Sequence, residues 1–130
     1  MPWIHHYPRQ PQKMRIAYIK PEDDKLRVIG MKDDLSEWHK LIQCDMIEAH
    51  ELIPGTNILF VCDENGKLKD KEPNFFWGEY FPDIVVGTVA FCSQNGSEFD
   101  NLSDEQISLI RAYLDKHSFI KPMRKRKEIT

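Results

Sequence analysis

The side chains able to do chemistry in this chain are scattered, except at one place. Residues 74–81 read NFFWGEYF and put five of the chain's 14 aromatic residues into eight consecutive positions. Aromatic rings on a loop can stack on a base or another planar ligand, each contributing roughly 1–3 kcal/mol. Trp and Tyr also dominate the energetics of protein-binding surfaces. Trp77 and Tyr80 each carry a polar handle that needs a partner; with Asn74 and Glu79 they form the expected binding set. The plainer use of such a stretch is structural, with Phe75, Phe76 and Phe81 plugging the edge of a sheet and Gly78 providing a bend.

Other chemistries have less to stand on. Asp63-x-Asn65-Gly66-x-x-x-Asp70 has the outline of a calcium loop. It lacks a third early oxygen ligand and the distal bidentate Glu, and Lys67 and Lys69 bring the wrong charge, so a hairpin turn is expected there. His5, His6, His39, His50 and His117 include no H-x-x-x-H pair, and His117 near a helix end serves to complement the helix dipole. Cys44, Cys62 and Cys92 are odd in number, have no C-x-x-C spacing and sit in or after apolar runs, which reads as buried small hydrophobes in a reducing compartment. No nucleophile elbow, P-loop or dinucleotide fingerprint occurs, so the sequence gives an enzyme no support. No cofactor and no metal are expected.

The net charge of −3 hides an asymmetry. Residues 121–130, KPMRKRKEIT, hold five basic residues and one acidic, leaving 13 basic against 20 acidic, or −7, for residues 1–120. An acidic body repels nucleic acid, so specific nucleic-acid binding is not expected and the tail reads as solvated. No run approaches the roughly 18 apolar residues of a membrane span, and the first residues lack the apolar core of a secretory signal. The expected location is the cytoplasm.

The elements that must position these residues follow from periodicity. Residues 1–13, with three prolines, read as an extended arm, residues 14–118 as one domain and residues 119–130 as a basic tail. MRIAYIKP and KLRVIGM form strands joined by a polar turn, an expected hairpin. Asp33 or Asp34 caps a short helix in which Leu35, Trp38, Leu41 and Ile42 share a face. DMIEAHELI is a strand, Ile58 to Cys62 a central strand, and a short return strand is expected through Leu68. NFFWGEYF has neither period and reads as a loop. Ile84 to Cys92 reads as a single strand in which Gly87 marks a bulge or a close backbone approach. Ser103 and Gln106 make a capping box for a final helix carrying Ile107, Ile110, Ala112 and Leu114 in helical spacing. The order of elements predicts an α+β fold: a mainly antiparallel sheet of about five or six strands, with one short internal helix and a C-terminal helix packed on it.

With those elements placed, the succession of an opening strand ending in Pro21, then LIQCDMIEA, LFVCDENGKLKDKEPNFFWGE and IVVGTVAFC resembles the family of small proteins grouped as Domain of Unknown Function 3846. The resemblance runs from about Met14 to Tyr113 and is most specific at Asp63, Glu64, Gly66, Asn74, Phe76-Trp77-Gly78 and Gly87. It implies a phage, plasmid or other mobile-element setting, and it carries no catalytic residues. The leading expectation is a nonenzymatic interaction module that binds a host or element-encoded protein through the aromatic loop. The alternative is a binder that sequesters a nucleotide-like signal between the aromatic loop and either a neighbouring strand or a second subunit, a homodimer cleft supplying the concavity a small monomer lacks. A ligand site would gather basic or amide side chains on the aromatics, whereas a protein patch would be flat and apolar with a polar rim.

Overall fold

Residues 13–78 and 82–117 are described by the structure, a computed structural model. The expected arm and basic tail lie outside these residues, except that Lys13 opens the first strand. In chain order the elements are β1 Lys13–Ile19, β2 Arg27–Lys32, α1 Leu35–Ile42, β3 Ile47–Ile53, β4 Ile58–Asp63, β5 Pro73–Trp77, β6 Asp83–Val86, β7 Val89–Asn95, β8 Glu98–Asp100 and α2 Asp104–His117. The main sheet runs β2-β1-β7-β4-β3 with β8 added to β7, and β5 and β6 form a separate two-stranded sheet. Every described pairing is antiparallel. The fold is α+β, with a six-stranded antiparallel sheet, a short helix and a C-terminal helix.

The main sheet is the middle of three layers, and the apolar residues of its inner strands divide between its two faces. All six residues of β4 are buried because Leu59 and Val61 turn toward α1, while Ile58, Phe60 and Cys62 turn toward the hairpin and α2. β7 divides likewise, Ala90 and Cys92 facing α1 and Val89 and Phe91 the opposite side. Apolar runs without alternation are what strands covered on both faces should show.

Both helices begin as their sequences dictate. The Asp34 carboxylate accepts from Ser36 N at 2.8 Å, and Asp33 accepts from Trp38 Nε1 at 3.0 Å, so both aspartates are used at the start of α1. At α2 the capping box closes in both directions, Gln106 N donating to Ser103 Oγ at 3.1 Å and Ser103 N to Gln106 Oε1 at 3.0 Å. Gln106 Nε2 also reaches Ser93 Oγ and Thr56 O, fastening the first turn of α2 to the sheet.

Three expectations are corrected. NFFWGEYF is not a loop along its described length: residues 73–77 are β5, paired with β6 so that Phe75 opposes Val85 and Trp77 opposes Asp83. The return strand through Leu68 does not form. Residues 64–70 make successive turns, and Leu68 is 85% exposed; Lys69 and Lys71 both reach back to Asp63 and curl the segment on itself. The run from Ile84 to Cys92 is two strands in two sheets, parted at Gly87, whose φ of +77° turns the chain from the hairpin into β7. The short strand β8 was not expected.

Candidate functional site

Phe75 and Trp77, two residues apart on β5, point to the same side, toward the main sheet. Phe75 is fully buried, with ring centroids 5.9 Å from Phe60, 6.1 Å from Phe91 and 6.2 Å from Tyr113. Trp77 is half-buried and leans on Phe60 at 5.0 Å and His50 at 5.1 Å. Phe76, between them, is half-buried on the other side of the hairpin.

Asn74, expected at a binding surface, lies in the interior instead, 1% exposed. The register shift between Pro73 and Phe75 is a bulge, which re-aims its side chain inward. Asn74 Nδ2 there donates to Ile19 O at 3.0 Å and Gly87 O at 2.8 Å, bolting the hairpin to the main sheet. Gly78 follows with φ +105°, a conformation that favours glycine and bends the chain out of β5. Glu79, Tyr80 and Phe81 lie outside the described residues.

Trp77 separates two concavities. On one side a groove of about 520 Å³ runs between the end of β3, the turn after it and α2, with Leu52, Ile53, Pro54, Leu109, Ala112 and Tyr113 as its apolar wall. Glu51, Lys116 and His117 stand in the same lining, and Lys116 is its one lysine or arginine among the described residues. Tyr113 and His117, four residues apart on α2, are stacked with centroids 3.7 Å apart and planes within 4°. His117 Nδ1 also lies 2.8 Å from Tyr113 O, which fixes the ring against the last turn.

On the other side of Trp77 a smaller cavity of about 130 Å³ has a mixed lining, with Glu48, His50, Glu64, Lys67 and Asp83 among apolar residues such as Phe60, Ile84 and Val85. Lys67 donates to Asp83, and this hydrogen bond holds the Asp83 carboxyl below its ordinary range. Glu48 accepts from the Cys62 thiol at 3.6 Å and lies 3.5 Å from His50 Nε2. Burial, then the Glu48 charge, pushes the Cys62 thiol up to about 12, and burial does the same to Cys92. Burial also raises Cys44. Thiols held protonated in this way are poor nucleophiles and poor metal ligands.

Asp63 closes the turn outlined by the calcium-like spacing. Its carboxylate accepts from Lys69 Nζ and Asn65 N, each at 2.9 Å, and pairs with Lys71 Nζ at 2.9 Å. Burial works to raise its pKa, but the two ammonium groups outweigh this and hold it below the ordinary value. No group of three or more His, Cys, Asp or Glu among the described residues is placed to hold a metal ion.

Of the expected binding residues, only Trp77 is both described and at an accessible surface. Tyr113, Leu109, Ile53 and Pro54 went unremarked as site residues, and His117 only as a complement to the helix dipole. The i, i+4 spacing of Tyr113 and His117 was the one local signal of their shared face. The juxtaposition of α2 with the turn after β3 had none.

The family model described as Domain of unknown function (DUF3846) matches residues 14–116, and the chain belongs to this family. No curated protein and no solved structure matches it. No helix among the described residues is long and apolar enough to cross a membrane.

Proposed function

We propose that this member of the DUF3846 family is a nonenzymatic interaction module that takes an apolar segment of a partner protein into the groove beside Trp77. The observation that carries this reading is the composition of the groove, a mostly apolar lining built from three chain segments with Glu51, Lys116 and His117 as its charged and polar groups. Docking sites are organised in this way, with a desolvated centre ringed by polar groups. A nucleotide-like ligand finds less support there. Its phosphates would meet a single lysine, with Glu51 in the same lining, and one side of the Trp77 ring is already taken by His50 and Phe60. In the phage or mobile-element setting that the family resemblance implies, the partner is a host or element-encoded protein met in the cytoplasm.

Leu109 is the residue to test, because it lines the groove and is 38% exposed, so its replacement leaves the core intact. A protein captured by wild-type chain from extract of the encoding cell should be lost at least tenfold from Leu109→Lys, with an unchanged circular dichroism spectrum. Capture equal to wild type by that variant refutes the groove. Release of a stoichiometric small molecule on denaturation, with no captured protein, refutes the protein-partner reading.

A further inference from the structure

The groove and the smaller cavity lie along the same strand, β3. β3 ends the sheet order, so among the described residues no strand covers its outer edge. Glu48 and His50 alternate along it toward the hairpin face and line the smaller cavity, and Leu52, at the register shift that follows Glu51, lines the apolar groove. An exposed edge offers a row of backbone donors and acceptors to an extended peptide, which gains affinity from the ladder and specificity from alternate side chains.

We infer that the partner adds an extended, basic strand to the free edge of β3, placing a cationic side chain beside Glu48 and an apolar one in the groove beside Leu52. The inference rests on the reading of the groove given above and specifies its occupant.

Charge selects that occupant. The edge strand carries Glu48 and Glu51, and Glu64 and Asp83 stand around the cavity that Glu48 lines, within a body of net charge −7 over residues 1–120. Lys67 and Asp83 offset each other, and Lys69 and Lys71 are held by Asp63, so the acidic excess at the cavity rests on Glu48 and Glu64. Two copies meeting edge to edge at β3 would bring the two Glu48 carboxylates onto one face and the two Glu51 carboxylates onto the other within a few rungs of one ladder, and like charges gathered on a face disfavour the pairing. A basic strand meets no such opposition. Geometry sets the spacing on the partner: β3 shifts register between Glu51 and Ile53, so that Glu48 and the Leu52–Ile53 step lie opposite Cys62 and Ile58 of β4, which are four residues apart. A strand added to the outer edge should likewise carry its cationic and apolar anchors four residues apart.

The test uses the full chain and a fluorescent synthetic peptide of alternating threonine and valine bearing one arginine and one leucine four residues apart, read by anisotropy. Two control peptides carry glutamate in place of the arginine, or N-methyl groups on alternate backbone amides along the pairing edge. Both controls should bind at least tenfold more weakly than the parent, and Glu48→Lys should reverse the preference between arginine and glutamate. Equal binding of the N-methylated peptide, or no binding of the parent, overturns strand addition and leaves the groove reading to its own capture experiment. Parent binding that persists undiminished in Leu109→Lys refutes the groove and spares the edge. Self-association of the chain at the concentrations used, abolished by Glu48→Lys, would assign the edge to a second copy and overturn the inference.

Discussion

Replacing Asp63 by Asn tests how the turn before the hairpin is held. The Asp63 side chain is 1% exposed and serves three donors, the ammonium groups of Lys69 and Lys71 and the backbone N–H of Asn65. Lys71 in turn donates to Ile42 O at 3.1 Å and Gln43 O at 2.9 Å, carbonyls at the end of α1. One carboxylate thus ties the end of β4, the turns over 64–70 and the C-terminus of α1. Asn keeps the shape and the acceptor for Asn65 but removes the charge. Breaking a fully buried pair costs about 3–5 kcal/mol. The Lys69 side chain is 41% exposed and the Lys71 side chain 19%, so water offsets part of the loss. We expect about 2–3 kcal/mol, which for a domain of this size lowers Tm on the order of 10–20 °C. The pH dependence follows from the lowered folded pKa of Asp63. Its stabilisation is complete above the unfolded carboxylate value of about 3.9 and is lost as pH falls through the folded pKa. The gap between wild type and Asp63→Asn in urea unfolding should hold from pH 7 to 5 and close below about pH 4. A variant within about 0.5 kcal/mol of wild type at pH 7, the range of an ordinary surface substitution, would mean that backbone turns alone hold this segment.

Three further outcomes are expected. Asn74→Ala removes both hydrogen bonds from the hairpin to the main sheet and should cost about 2–3 kcal/mol in urea unfolding; a cost under about 0.5 kcal/mol would show that packing of Phe75 alone seats the hairpin. Gly87→Ala is strained at φ +77° and sets a Cβ 2.8 Å from Lys71 Cδ, so it should cost about 1–3 kcal/mol. Part of that cost should disappear in a Lys71→Ala background, and strict additivity would argue against the contact. With Cys62 and Cys92 at about 12 and both buried, iodoacetamide at pH 8 should leave them unmodified in the native protein and reach them only in urea. Native labelling at the unfolded rate would contradict their burial.

What could be read from the sequence depended on whether a segment's partners were local. The β1–β2 hairpin, the capped helices and the buried run of β4 carry their own signals in alternation, Asp34, Ser103 with Gln106, and unbroken apolar character. NFFWGEYF was misread because β5 buries Phe75 on one side and half-buries Phe76 on the other, which erases the alternation of a strand with one wet face. Its pairing with residues 83–86 is visible only in three dimensions. Ile84 to Cys92 looked continuous because both halves are apolar; Gly87, correctly singled out, is a turn between sheets and not a bulge within one. The DENGKLKD segment has good turn residues, but what shapes it is the return of Lys69 and Lys71 to Asp63, which no propensity encodes. The groove was illegible for the same reason, since it is assembled from β3, β5 and α2.

The placement of Trp77 changes what its substitution can report. A ring leaning on Phe60 and His50, two residues along from the buried Phe75, contributes to the core as well as to both concavities. Trp77→Ala removes a large aromatic surface from that core and should cost about 3 kcal/mol or somewhat less, since the ring is only half-buried. Loss of binding in that variant would follow from loosening of the hairpin as readily as from loss of a contact. Leu109 is free of this ambiguity, and Glu48 is less burdened by it, touching the core through Cys62 and His50 alone among its described partners. Leu109 is an exposed leucine on α2, and the Glu48 side chain is 42% exposed on an outer strand. They also report on different recognition elements, the apolar groove and the acidic edge. If the partner engages both, the two substitutions should each weaken it, and their effects should add, because the residues lie on separate elements, β3 and α2. Additive losses at Leu109 and Glu48 would mark one continuous surface read at two independent points, with Trp77 as the wall between them.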